Sequence, residues 1–328
     1  MRKAILILIP CLVLWAACGS DNGTGTDGDD NQVVRVVANT AVAEPTLSSP
    51  DEAMWSSVAG TNVPINRSGT VNPAAPKGAL VPGSVNVKAI VKSATLYMRF
   101  QWVDDLDIWK DVWTLNNVDN FNFTRNEDVF NEDQLFVMFA APDAEPPWFD
   151  TWNWRSLTTN YGNRAEGFIY QEGVLTRDPG AQNFALPNKK YLDTSRPRWI
   201  HVTKSAFTGA VMYQNEVLDT DTASFGADWV LNQRVPGWII DSTIIALINE
   251  NEESRWDIKS VFSWDEGSGT MKLVLARALN TPYGEEDLDM SGLDSVGFRI
   301  GILDDQDEIS ELNSSQQGFS NAYWLVLP

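Results

Sequence analysis

The sequence predicts an all-β protein, an antiparallel β-sandwich with long irregular loops at one end. Three observations carry that expectation. From Val33 onward the apolar residues recur mainly with a period of two, the mark of strands with one face in a core. Clusters of Gly, Asn, Asp and Pro separate these runs, as turns do. Long runs with helical apolar spacing are missing, so strands must pack on strands.

Residues 1–20 read MRKAILILIPCLVLWAACGS. The basic start (Arg2, Lys3), the short apolar run broken by Pro10, and the small Ala16 and Ala17 before Cys18 form an export signal over 1–17, too short and interrupted for a spanning helix. The end of this leader resembles a bacterial lipobox, which makes Cys18 the acylated first residue of the mature chain and the lipid anchor. Trp15 stands where an aliphatic residue is usual, and Cys11 is a poorer candidate because Pro10 precedes it. The next stretch, SDNGTGTDGDDN, has no apolar residue. Residues 18–32 are therefore read as a disordered polar tether. Asp27, Asp29 and Asp30 suggest a calcium loop, but no Glu closes one at the needed spacing.

Residues 33–328 are read as a single β domain. The segment 85–102 is a hairpin in which Val85, Val87, Ala89 and Val91 alternate with polar residues, Lys92 and Ser93 turn, and 96–102 runs back. Further strands are expected at 133–140, 238–249, 254–264, 271–279, 295–304 and 322–327, with DEGSG (265–269) as a hairpin turn. Between them, 151–227 is rich in Asn, Gly, Pro and aromatic residues and poor in strand runs. Long structureless stretches in compact domains usually carry function. The ligand site is expected there, against Trp152, Asn153 and Trp154 at one end of the sandwich.

Composition narrows the chemistry. Lys and Arg number 24 against 44 Asp and Glu, a net charge of −20 that falls to −22 without Arg2 and Lys3. Nucleic acid is excluded as a partner, because its phosphates need a concentrated basic face. The single His is His201, and the two Cys are Cys11 in the leader and Cys18, the residue expected to be acylated. The mature chain therefore has no disulfide, no Cys/His zinc site, no Cys nucleophile and no CxxCH haem attachment. Fourteen Trp exceed what volume filling requires and suggest contact with a flat ligand or a sugar beside ordinary packing.

Three segments resemble the haem-binding domain related to the gamma subunit of ethylbenzene dehydrogenase and the dimethylsulfide dehydrogenase group. EPTLSSPDEAMWSSV (44–58) is similar to that family's entry segment, and to that of sugar-binding modules of carbohydrate-binding family nine. LYMRFQWVDDLDIWKDVW (96–113) is similar to its strand ending in Trp and Asp. The segment from DTWNWRSLTTNYG to QNFALPN (150–188) resembles its W-x-W region, and TMKLVLARALNT and VGFRIGILDDQ resemble its closing strands. The resemblance implies non-covalent b-type haem held by two axial side chains at one end of the sandwich. The family's methionine position falls near Trp148 and Phe149, a histidine seen in some relatives is Asn153, and no Lys or His follows Lys272. Since haem iron accepts thioether and imidazole donors, Met138 and His201 become the candidate axial ligands, with Trp152, Asn153 and Trp154 lining the cofactor.

The reading that follows is an exported, membrane-anchored lipoprotein, not an enzyme, placed on the periplasmic side or the surface of the outer membrane. It is expected to bind haem b for electron transfer with a cationic redox protein such as a c-type cytochrome. The alternative is a ligand-binding module that has lost haem and stacks a sugar on Trp148, Trp152 and Trp154; a purely structural surface lipoprotein comes third. Acid pairs such as Glu285 with Glu286 and Asp304 with Asp305 lie in turn-like polar stretches. Solvated carboxylates of that kind are poor catalysts.

Overall fold

A computed structural model describes residues 35–67, 81–104, 133–142, 144–156, 159, 163–180, 253–265, 268–304 and 317–328, together with the backbone of seven short strands between 112 and 238. The leader, Cys18 and the tether lie outside the described residues, as does nearly all of the strand expected at 238–249.

The strands in chain order are β1 (Arg35–Asn39), β2 (Thr61–Pro64), β3 (Asn66–Arg67), β4 (Ser84–Lys92), β5 (Thr95–Val103), β6 (Val112–Asn117), β7 (Asn122–Arg125), β8 (Gln134–Ala140), β9 (Trp148–Arg155), β10 (Glu166–Gln171) and β11 (Val174–Arg177). They continue with β12 (Tyr191–Asp193), β13 (Arg196–Pro197), β14 (Trp199–His201), β15 (Val211–Tyr213), β16 (Arg234–Trp238), β17 (Lys259–Asp265), β18 (Thr270–Ala278), β19 (Ser295–Leu303), β20 (Gln317–Phe319) and β21 (Tyr323–Val326). Among the described residues the only helices are short 3-10 turns, Ala53–Ser57 and Ser254–Trp256.

The all-β class is as expected, but the strands do not form two purely antiparallel sheets. One curled mixed sheet of 14 strands runs in the order β11-β10-β9-β8-β19-β21-β1-β4-β5-β18-β17, with β2, β3 and β20 attached to its sides. The five-residue β1 makes it continuous and mixed. Its first half, Arg35 to Val37, pairs parallel with β21, and its second half, Ala38 and Asn39, pairs parallel with β4. A parallel neighbour cannot be reached through a tight turn; here the chain makes its way from β1 to β4 through residues 40–67, and β21 is its last strand.

The two ends of the path also meet. Ile258 and Asn163 accept backbone hydrogen bonds from Ala165 (2.9 Å) and Ser260 (2.8 Å), and Arg164 bridges Lys259. These contacts join the entry of β10 to β17, so the β17 edge is partnered there.

The core lies inside the curl. Alternate residues of β4 (Val85, Val87, Ala89, Val91), β5 (Leu96, Met98, Phe100, Trp102) and β8 (Leu135, Val137, Phe139) enter it, as the pleat requires. The other face of β4, β5 and β18 is also covered. Trp55 and Val58 from the segment after β1 pack on Ile90, Tyr97, Val274 and Ala276. Arg99 donates to the Pro50 carbonyl (2.7 Å) and Lys88 to that of Trp55 (2.6 Å), fixing this strap. Two-sided burial explains why these strands carry apolar residues at successive positions.

The hairpin at 85–102 is present with its turn one residue later than expected. Ser93 and Ala94 take φ of 50° and 57°, the left-handed pair of a two-residue type I′ connection. The turn at 265–269 is also found, since Asp265 pairs with Thr270. By contrast, 151–227 is not irregular from its start, because β9, β10 and β11 are antiparallel members of the large sheet.

Candidate functional site

β9, with the sequence WFDTWNWR, lies between β8 and β10 and has two different faces. Asp150, Trp152 and Trp154 point into the curl; Phe149, Thr151 and Asn153 point outward. Trp152 and Trp154 are 1% and 0% exposed. Trp154 packs on Phe262 at 4.5 Å and edge-on to Trp102 at 6.3 Å, and Trp152 packs on Phe139 at 4.8 Å between ring centroids. Their rings hold the two halves of the sheet together and present no face to solvent. Trp148, at the start of the strand, is half-buried.

Met138 belongs to the outward face. Leu135, Val137 and Phe139 enter the core, so Phe136 and Met138 point the other way, and Met138 is half-buried. In register it lies between Thr151 of β9 and Arg299 of β19. Asn153 shares this face one step along, opposite Phe136. It donates to Gln134 Oε1 at 3.3 Å, while its own Oδ1 finds no partner. Arg299 is half-buried, and its Nε finds no partner among the described residues. The next row on this face carries Trp324 of β21 across from Gly297, and Phe149 across from Ala140 and Tyr170. Trp324 is 37% exposed. The outward face thus combines a thioether, a half-buried guanidinium and aromatic rings, with Phe136, Thr151 and Asn153 buried among them.

Of the residues singled out in the sequence, Met138 and Asn153 come together on this face. Trp152 and Trp154 stand on the opposite face of the same strand. His201 ends β14, a strand of a separate five-stranded sheet of order β15-β14-β16-β6-β7; its side chain lies outside the described residues, as does Cys18. Arg299 was missed. Its signal was a cation in the middle of an apolar strand, SVGFRIGIL.

A second constellation, also missed, lies inside the curl. Arg277 of β18 is buried and donates to Asp150 Oδ2 at 2.5 Å and to Asp287 Oδ1 at 3.1 Å, and its guanidinium sits over the Trp152 ring at 4.9 Å. Asp150 Oδ2 also accepts from the Leu288 amide at 2.8 Å. Ser254 Oγ lies 3.1 Å from Asp287 Oδ1 and 3.3 Å from Asp178 Oδ2. Thr281 donates to the other Asp287 oxygen at 2.5 Å. Asp257 faces Asp287, and neither of its buried oxygens finds a donor.

Four carboxyl groups therefore share one guanidinium out of water. Burial pushes the Asp150 carboxyl up, against the pull of Arg277. Burial, reinforced by the charges of Asp150 and Asp287, raises Asp178 to about 8. Burial raises Asp257 to about 9, with Arg277 opposing and Asp287 and Asp150 adding to the rise. Arg277 loses hydration on burial, yet the surrounding aspartates raise its pKa and keep it charged. Beyond β10, Glu166 pairs with Arg255 and, at 2.9 Å, with Arg177.

Among the described residues, no group of three or more His, Cys, Asp or Glu side chains is placed to hold a metal ion, and no helix is long and apolar enough to cross a membrane. Glu285 is exposed, Glu286 is half-buried and Asp304 is buried. No protein-family model and no curated protein matches the chain.

Proposed function

We propose that this chain is an exported, lipid-anchored binding protein of the ethylbenzene dehydrogenase-related kind, which holds b-type haem on the outward face of β8, β9 and β19. The observation that carries the reading is the pairing of Met138 with Arg299 in register on that face. A thioether is an accepted axial donor to haem iron. The Arg299 guanidinium, whose Nε finds no partner among the described residues, suits a propionate, which a guanidinium binds through parallel N–H bonds. Phe149, Tyr170 and Trp324 add aromatic surface for a flat macrocycle. Met138 would therefore hold the iron and Arg299 a propionate, with His201 as the further candidate ligand.

Bound haem would supply one-electron transfer. The rest belongs to the chain: Met138 would be the donor and Arg299 would supply the charge. Export and anchoring through Cys18 place the protein on the periplasmic side or the surface of the outer membrane. The net charge of −20 favours encounter with a cationic redox protein such as a c-type cytochrome, by long-range attraction that salt screens. The sugar-stacking alternative is not favoured, because Trp152 and Trp154 are core residues.

Titration of the purified protein with haem tests the reading. Wild type is expected to give a sharp Soret band that Met138→Ala shifts, and Arg299→Ala is expected to weaken haem binding by about tenfold or more, the order of one charged hydrogen bond. A wild-type spectrum identical to free haem would overturn it.

A further inference from the structure

The inward carboxyl cluster lies beneath the seam where the two ends of the sheet meet. Ser254 and Asp257 belong to the turn that leads into Ile258 and β17, whose backbone closes onto 163–165. Asp178 follows β11, and its carboxylate lies over Gly167 of β10, where a Cβ would come within 2.3 Å of Oδ2. Asp150 comes from β9, Arg277 from β18 and Asp287 from the loop after β18. Glu166 with Arg255 and Arg177, and the bridging Arg164 and Lys259, are further charged groups around the seam.

Counting protons in this cluster leads to a definite state. Ser254 Oγ has one hydrogen and stands within bonding distance of two carboxylate oxygens. It can donate to only one, so the other contact is favourable only if that carboxyl carries a proton and donates to Ser254. Likewise both Asp257 carboxyl oxygens are buried and neither finds a donor among the described residues, so a bare carboxylate there would lose its hydration with nothing in exchange. We propose that the seam is a proton-dependent latch, in which Asp178 holds one proton against Ser254 and Asp257 holds another, and whose loss parts the 253–258 turn from β9, β10 and β18. This goes beyond the ligand reading and does not depend on it.

The raised carboxyl pKa values agree with that state and fix the sign of its pH dependence. Unfolded aspartate titrates near pH ~4, whereas folded Asp178 and Asp257 titrate at about 8 and about 9. Between those limits the native state binds more protons than the unfolded state. Stability therefore falls as pH rises through the window and levels off above it. Each retained proton makes the unfolding constant rise about tenfold per pH unit.

Urea unfolding between pH 5 and pH 9 tests the latch in wild type, Asp178→Asn and Asp257→Asn. Each asparagine mimics the neutral acid, so each variant is expected to lose about one proton's worth of slope and to gain on wild type as pH rises. Variants weakened equally at every pH, with the wild-type slope, would overturn the proposal. Hydrogen exchange on wild type gives a reading that needs no variant. The Ala165 and Ser260 amides are expected to lose protection from pH 6 to pH 9 while Val87 in β4 keeps its own. Equal retention at all three sites would also overturn it.

Discussion

At the scale of single residues, Trp154 separates packing from binding. It is fully buried against Phe262 and Trp102, and cutting such a side chain to alanine removes about 3–5 kcal/mol. Trp154→Ala is expected to lower the urea midpoint strongly, and a midpoint within error of wild type would contradict its place in the core. The sequence hid this role for a physical reason. In WFDTWNWR both alternating sets mix aromatic and polar residues, since Asp150 shares the inward face with Trp152 and Trp154. A charged residue on an otherwise aromatic face reads as solvent exposure until Arg277, 127 positions away in sequence, is brought to it by the fold. Met138 stands out in the sequence as a thioether, but its register neighbour Arg299 lies on β19, a strand pairing that local spacing does not reveal.

At the scale of elements, the β4–β5 hairpin shows local strain offset by tertiary contacts. Both central residues of its turn are left-handed, yet they are Ser93 and Ala94, where Asn-Gly is the preferred pair. The corresponding turn between β10 and β11 is Glu172 and Gly173, with glycine at the second position. Around Ala94 the fold supplies compensation: its carbonyl accepts from Leu279 at 2.8 Å, and Ser93 donates to Glu44 at 2.8 Å. Removing the Cβ at Ala94 relieves about 1–2 kcal/mol of left-handed strain, partly offset by the greater freedom of glycine in the unfolded chain. Ala94→Gly is expected to raise the thermal midpoint slightly; a fall would show that the methyl group packs favourably. Half of the strands of the large sheet, β4, β5, β8, β17, β18, β19 and β21, were legible from their long apolar runs. β9 to β11 were not, since β9 and β10 carry buried charge (Asp150, Glu166) among their apolar residues and β11 is a short, largely exposed edge strand.

At the scale of the whole molecule, the all-β class followed from periodicity and the lack of helical spacing, whereas the continuity of the sheet did not. It depends on β1, five residues that change partner midway, and on backbone contacts between 163–165 and 258–260 that no side-chain pattern encodes. The closed curl divides the molecule into an interior that holds Trp152, Trp154 and the protonated carboxyls, and an outward face that offers Met138 and Arg299. The central claim is that the outward face carries a haem. The most direct test is the absorption spectrum, oxidised and then reduced, of the full-length protein purified from membranes in detergent. A haem on this face gives a Soret band that sharpens on reduction, with resolved α and β bands. A spectrum with only tryptophan and tyrosine absorption, unchanged by reductant, would contradict it.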